Sequence, residues 1–267
     1  MKPQDYLESI LTFKRAEVDQ LYAKDYQKIF DQKIKKISKP AFLFSKLLTQ
    51  TPGLKLIAEL KQASPSKGVI KPNFEPLKLA QEYINNGAHC LSILTETHYF
   101  KGNLDYIQNV QTQYSIPILR KDFIIDPIQI SESKYSGADA ILLILAILDP
   151  KSAQSLLSLA NQQGMDVIVE VHSEKEMQDA LTLSGQFMIG INNRNLMTFE
   201  VNKMNALNLK TQYKTELAQK ITIAESGYTT SEEMDRLLTH NFSAVLIGEG
   251  LITNPSLKTY FKSYLSS

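Results

Sequence analysis

The chain contains no tryptophan and only one cysteine, Cys90, in 267 residues. A single cysteine excludes an internal disulfide. The four histidines, His89, His98, His172 and His240, fall at no metal-ligand spacing, so no structural metal is expected. Long apolar runs are scarce. The longest, "ADAILLILAIL", carries Asp139 and stops at Asp149, well short of the roughly 18 apolar residues of a membrane span. The opening "MKPQDYLESILTFKR" lacks the apolar core of a signal peptide. Neither sign of charge is in excess: 29 Lys and Arg against 28 Asp and Glu give a formal net charge of +1. Nothing in that balance points to nucleic acid or a membrane surface as partner. The expectation from these absences is a cytoplasmic protein, monomeric by default.

What is present is ordinary globular material. Apolar residues make up 43% and charged residues 21%, enough for a sizeable core. The length fits one large α/β domain or two small ones. The first fifty residues differ from the rest. "YLESILTFKRAEVDQLYA" carries Ile10, Leu11, Val18 and Leu21 at three- and four-residue spacings, which predicts an amphipathic helix. "AFLFSKLLTQ" after Pro40 predicts a second, short helix, and basic "QKIKKISK" between them predicts a solvated connector.

From residue 54 the pattern changes. Eight short apolar runs follow: "LKLIAELK", "CLSILTE", "IPILRKD", "ADAILLI", "DVIVEV", "FMIGINN", "ITIAES" and "AVLIGE". Amphipathic stretches such as "PLKLAQEYINNG" and "TSEEMDRLLTHN" lie between them, opening on Pro, Ser or Thr and closing on Gly or Asn. Apolar strands alternating with helices predict a parallel sheet covered on both faces. Eight such units predict a closed (β/α)₈ barrel, a TIM barrel, with residues 1–51 as a helical N-terminal extension of a single domain. An open doubly wound sheet is the competing fold, but no GxGxxG follows the first strand.

In such a barrel the active site lies at the C-terminal ends of the strands. Seven of the eight apolar runs here end in polar groups. They are Glu59 and Lys61; Thr95 and Glu96; Arg120, Lys121 and Asp122; Glu170 and His172; Asn192, Asn193 and Arg194; Glu225, Ser226 and Gly227; Gly248, Glu249 and Gly250. Parallel strands bring these ends to one rim, where charges of both signs must pair or meet a ligand. Small residues after the seventh and eighth strands, in "ESGYTTSEE" and "IGEGLI", allow backbone N–H groups to approach a phosphate, and a short helix there adds its positive end. Ser64 or Ser66 could complete that cradle. Plain turns explain either motif taken alone.

The same segments resemble the indole-3-glycerol phosphate synthase family over essentially the whole chain. The resemblance rests on "IAELKQASPSKG", "LSILTETHYFKGN", "PILRKDFIID", "GADAILLI", "VEVH", "IGINNRNL", "ESG" and "VLIGEGL", with "ILTFKRAEV" similar to the family's first helix. It departs at Gln62, where an Arg commonly follows the first-strand Lys. The resemblance implies a carboxy-lyase of tryptophan biosynthesis acting on a phosphorylated small molecule, with no cofactor or metal. It implies Lys61, Lys121 and Glu170 as the catalytic trio. Glu59, Asn192, Arg194 and Glu225 would lie around the reacting atoms, Phe100 and Phe123 on the apolar side. Ser64, Ser226, Gly227, Gly248 and Glu249 would hold phosphate, Glu249 through its backbone N–H. His172, Asp122 and Arg194 also read as orienting or structural partners. The rivals are another phosphate-binding barrel, such as phosphoribosylanthranilate isomerase, and a non-catalytic phosphometabolite-binding barrel. The isomerase needs a Cys base at a strand's C-terminal end, and Cys90 stands at the start of its run.

Overall fold

The structure, a computed structural model, describes residues 3–263, with side chains from residue 6 to 262. Among the described residues there are ten strands: β1 (Lys55–Leu60), β2 (Ala63–Ser64), β3 (Gly68–Val69), β4 (Cys90–Leu94), β5 (Ile118–Lys121), β6 (Ala140–Ile144), β7 (Asp166–Val171), β8 (Met188–Asn192), β9 (Thr222–Glu225) and β10 (Ala244–Ile247). Eight close into a parallel barrel in the order β1-β10-β9-β8-β7-β6-β5-β4. β2 and β3 form a small antiparallel hairpin on the loop after β1. The expected barrel is the observed one.

Nine helices cover or extend the barrel up to its last two turns. They are α1 (Pro3–Ala23), α2 (Tyr26–Ile34), α3 (Leu43–Thr49), α4 (Pro76–Asn85), α5 (Asp105–Gln113), α6 (Pro127–Ser136), α7 (Pro150–Gln162), α8 (Glu174–Thr182) and α9 (Asn205–Gln212). α10 (Ser231–Thr239), α11 (Glu249–Thr253) and α12 (Pro255–Ser263) complete the set. Their starts are chemically marked. Asp126 and Thr230 form capping boxes, and Asp149 and Ser173 accept first-turn N–H groups.

Side-chain parity along the strands builds two apolar layers. Leu56, Ala58 and Leu60 pack outward under the helices, with Leu91, Ile93, Val167 and Val169. Ile57, Leu119, Ile168, Met188, Ile223 and Leu246 fill the barrel interior. Continuing the inward parity toward the C-terminal ends gives Glu59 and Lys61 after Ile57, Lys121 after Leu119, Glu170 after Ile168, Asn192 after Met188, Glu225 after Ile223 and Gly248 after Leu246. The polar groups of one rim thus sit at the last inward-facing positions of six strands, while β4 and β6 end on apolar Leu94 and Ile144.

The N-terminal helices strap the barrel from end to end. Lys14 on α1 pairs with Asp122 at 2.9 Å, and the Tyr22 hydroxyl donates to Asp126 at 2.7 Å. On the opposite end Lys39 pairs with Asp139 at 2.6 Å, and Asp166 accepts the Ser45 N–H at the start of α3. The expected connector "QKIKKISK" needs a correction. Its first three residues belong to α2, which the sequence reading did not anticipate. Phe30 and Ile34 of α2 pack with Val18 and Ile128, an i,i+4 apolar pair masked by the surrounding lysines. No described helix is long and apolar enough to cross a membrane.

Candidate active site

A cavity of about 400 Å³ opens at the C-terminal ends of the barrel strands. Its lining includes the fourteen residues that the resemblance implies for the site: Glu59, Lys61, Ser64, Phe100, Lys121, Phe123 and Glu170, then Asn192, Arg194, Glu225, Ser226, Gly227, Gly248 and Glu249. Thr95, Glu96, Arg120, His172 and Asn193 lie outside it. The structure therefore brings together side chains spread over 190 residues of sequence.

Lys121 is the electrostatic centre. Its Nζ lies 2.7 Å from Glu170 Oε2 and 2.5 Å from Glu225 Oε2. Burial opposes the ammonium charge, yet the two carboxylates outweigh it and push its pKa up. The carboxyls divide. For Glu170, burial favours the neutral acid, but Lys121 on one side and His172 on the other hold its pKa well below the usual carboxylate range. Glu225 has only Lys121 as a cation and has Glu170 as a neighbouring anion. Burial then dominates and pushes its pKa up to about 8. Its second oxygen, Oε1, is buried with no hydrogen-bond partner. The site holds one carboxylate kept ionised and one acid that readily retains its proton.

A second pair sits across the mouth. Lys61 Nζ lies 2.5 Å from Glu59 Oε1, both side chains largely enclosed. Gly248 faces this pair so closely that a Cβ there would strike the Glu59 carboxylate. Its glycine is thus required by approach rather than by a turn. Phe100 and Phe123 form the apolar wall, with ring centroids 6.4 Å apart.

The loops after β9 and β10 form the opposite corner with the first loop. Ser226 and Gly227 both have left-handed backbone, with φ of 67° and 86°. A β-carbon at Gly227 would also strike Val201. Gly248 leads directly into the short α11. The Glu249 side chain is taken by an ion pair with Lys67, so its carboxylate faces away from any anion-binding role. Asn193 donates from its side chain to the Ser226 carbonyl at 3.1 Å, steadying the turn.

Other polar groups have positional jobs. Asn192 accepts the Arg194 N–H at 2.9 Å, and Arg194 lines the cavity while donating to the Phe199 carbonyl at 3.0 Å. Asp122 has outward parity. It sits among Lys14, Arg120 and Thr95, and although burial works the other way these partners hold its pKa down to about 2. Cys90 is the first residue of β4 and is fully buried, far from the strand's C-terminal end.

Sequence reasoning left out Lys14 and Lys203, and gave Lys67 and Glu96 no role beyond polar groups near strand ends. Lys67 and Lys203 line the cavity from loops. Lys14 lies on a helix remote in sequence, buried to 1% exposure. Glu96 stands outside the cavity lining but builds the second loop: its carboxylate accepts the backbone N–H groups of His98, Tyr99 and Phe100 at 2.8–2.9 Å. That three-donor clasp sets Phe100 over the pocket.

The indole-3-glycerol phosphate synthase family model matches residues 7–264. This chain belongs to the indole-3-glycerol phosphate synthase family. The indole-3-glycerol phosphate synthase of Chloroherpeton thalassium is 41% identical over 257 residues, covering 96% of this chain and 97% of the relative. Those of Chlorobium limicola and Desulforamulus reducens are 41% and 42% identical, covering 94% and 92% of this chain. The family's synthases and this chain are thus of matching length, and the match includes the N-terminal strap as well as the barrel.

Proposed function

We propose that the chain is a carboxy-lyase that closes 1-(2-carboxyphenylamino)-1-deoxyribulose 5-phosphate to indole-3-glycerol phosphate, releasing carbon dioxide and water. Family membership supports the reaction. The observation that carries the assignment of roles is the Lys121 ammonium bridging two unlike carboxyls inside the cavity.

Ring closure joins the carboxylate-bearing ring carbon to the ketone carbon. The ketone oxygen gains a negative charge and takes a proton. Lys121, held charged by its neighbours, is the donor. Loss of carbon dioxide then restores the aromatic ring. Dehydration follows: a base removes a proton from the new five-membered ring while the hydroxyl leaves as water with help from an acid. Glu170 is the base, since it stays ionised at neutral pH. Lys61 orients the substrate carboxylate and serves as the acid in dehydration, with Glu59 setting its position. Phe100 and Phe123 hold the aromatic ring. Ser64, the Ser226–Gly227 turn, and the backbone of Gly248 and Glu249 receive the phosphate, with Lys67 and Lys203 adding positive charge at the rim.

The test is direct. Purified protein with the carboxyphenylamino substrate should produce the fluorescence of an indole. No indole, with substrate unchanged, rejects the synthase reading in favour of a binding-only barrel.

A further inference from the structure

His172 lies just past the end of β7 and does not line the cavity, yet it is packed against the reacting groups. Two carboxylates bracket its ring. Glu176, in the first turn of α8, accepts the His172 backbone N–H at 2.8 Å and lies 3.0 Å from Nδ1 with the same oxygen. Its other oxygen accepts the Ser173 hydroxyl at 2.9 Å. Nε2 then lies 3.1 Å from Glu170 Oε1, the oxygen that Lys121 does not hold. That approach is a charge pair rather than an aligned hydrogen bond, for Nε2 has no partner at hydrogen-bond geometry. Asn205 donates to the His172 carbonyl at 3.1 Å and to the Asn192 carbonyl at 3.0 Å, so the segment is pinned to β8 as well.

We infer that His172 is a positioning residue for Glu170, oriented by Glu176, and that this imidazolium holds the free carboxylate oxygen of Glu170 in place through the reaction. The inference rests on the proposed role of Glu170. Two carboxylates facing one ring leave a proton on both nitrogens, because a bare ring nitrogen beside a carboxylate would oppose lone pair to lone pair. Burial disfavours the charged ring, yet the flanking carboxylates prevail and raise its pKa to about 9. The His172–Glu176 pair sits outside the substrate cavity, so its loss should disturb the base and not substrate binding.

A residue that acts only through Glu170 loses its effect once Glu170 is gone. His172→Asn should lower kcat by about tenfold to hundredfold, the scale of a misplaced catalytic group, with KM changed less than about twofold. In a Glu170→Gln background the same substitution should change kcat less than about threefold. Glu176→Gln keeps side-chain volume and should reproduce the effect in milder form. An equal loss in both backgrounds, or no loss from either His172→Asn or Glu176→Gln, overturns the inference. A readout independent of turnover comes from the imidazole NMR signals of the otherwise intact protein. His172 should titrate at least one pH unit lower in Glu170→Gln than in wild type. An unchanged titration overturns the inference even if the synthase reading fails, and an inactive wild-type protein would identify that separate failure.

Discussion

Lys121 on β5 and Glu170 on β7 meet at 2.7 Å across the intervening strand β6. The barrel's curvature makes this possible, since both side chains point to the axis. With the roles proposed above, acid and base are stored as a mutually stabilised ion pair before substrate arrives. Substrate must enter between them or beside them, and each must be free to act in turn.

Glu170→Gln keeps the shape and removes the charge. Glu225 still pairs with Lys121, so the fold should survive. The expected result is a fall in kcat of about 10²–10⁴, with KM nearly unchanged. Kinetics and a thermal melt on the same sample check it. Near-normal kcat in a folded protein would remove Glu170 from the mechanism.

Lys121→Met should behave differently. It leaves Glu170 and Glu225 facing each other with no ammonium between them. Closure should be abolished, so no cyclised intermediate should accumulate in a quenched time course. Stability should also drop, by up to about 3–5 kcal/mol for a buried pair stripped of one partner. Proton uptake by Glu225, already prone to it, would reduce that loss at low pH. The denaturation midpoint of the variant should therefore recover on acidification toward pH 5, and a midpoint that stays flat would contradict the shared-ammonium arrangement.

In the proposed site, phosphate contacts exist before and during reaction. Ser226→Ala should therefore raise KM more than it lowers kcat. Removing the phosphate from the substrate should weaken binding by more than about tenfold, or 1.4 kcal/mol. A crystal grown with sulfate should place the ion between the turn after β9 and the start of α11. A smaller loss of affinity would move the phosphate elsewhere.

Lys14 and Asp122 form a different kind of contact, a buried pair beneath the cavity wall that Asp122 helps to line. Lys14→Met leaves Asp122 with Arg120 and Thr95 but unbalances the cluster. The expected loss is about 3 kcal/mol, the lower end for breaking a buried pair. Lys28, exposed and paired with Asp25, is the control: Lys28→Met should leave stability essentially unchanged. Equal losses in urea unfolding would mean that the α1 strap contributes no more than a surface pair.

The barrel was legible because its strands are continuous apolar runs with marked helix caps between them. The cavity residues were legible for a narrower reason. Glu59, Lys121, Glu170 and Glu225 are each the next inward position after a buried apolar residue, so strand parity alone separates Lys121 from Arg120 and Asp122. The sequence reading grouped those three together, and the structure shows Arg120 and Asp122 turned outward into α6 and α1. Lys14 was not legible as a contributor, and Glu96 was legible only as a polar group at a strand end. A lysine on a helical face reads as solvated unless its distant carboxylate partner is known. Glu96 acts through backbone N–H groups, which carry no residue signature. α2 was missed because its apolar pair is diluted by lysines whose heads reach water.

Stability should fall as the solution turns alkaline. Two buried groups set the window, and both have raised pKa values. His172 moves from about 6.5 to about 9, as burial is outweighed by Glu170 and Glu176. A raised folded-state pKa means the folded protein binds the proton more tightly than the unfolded chain. Its contribution is whole below about pH 6.5 and is lost as pH rises through about 9. Glu225 moves from about 4.5 to about 8, mainly through burial. It has the same sign: its contribution is whole below about 4.5 and is gone above about 8. Asp122 has the opposite sign, with its pKa lowered from about 3.8 to about 2, and matters only in strong acid. The unfolding midpoint in urea should therefore decline between pH 6.5 and 9, with a slope of at most about 1.4 kcal/mol per pH unit from each group. His172→Asn should be less stable at pH 6.5 but should flatten the curve between 8 and 9, where only His172 is still losing its proton. A wild-type midpoint that rises across that window would show that neither buried group holds its proton in the folded state.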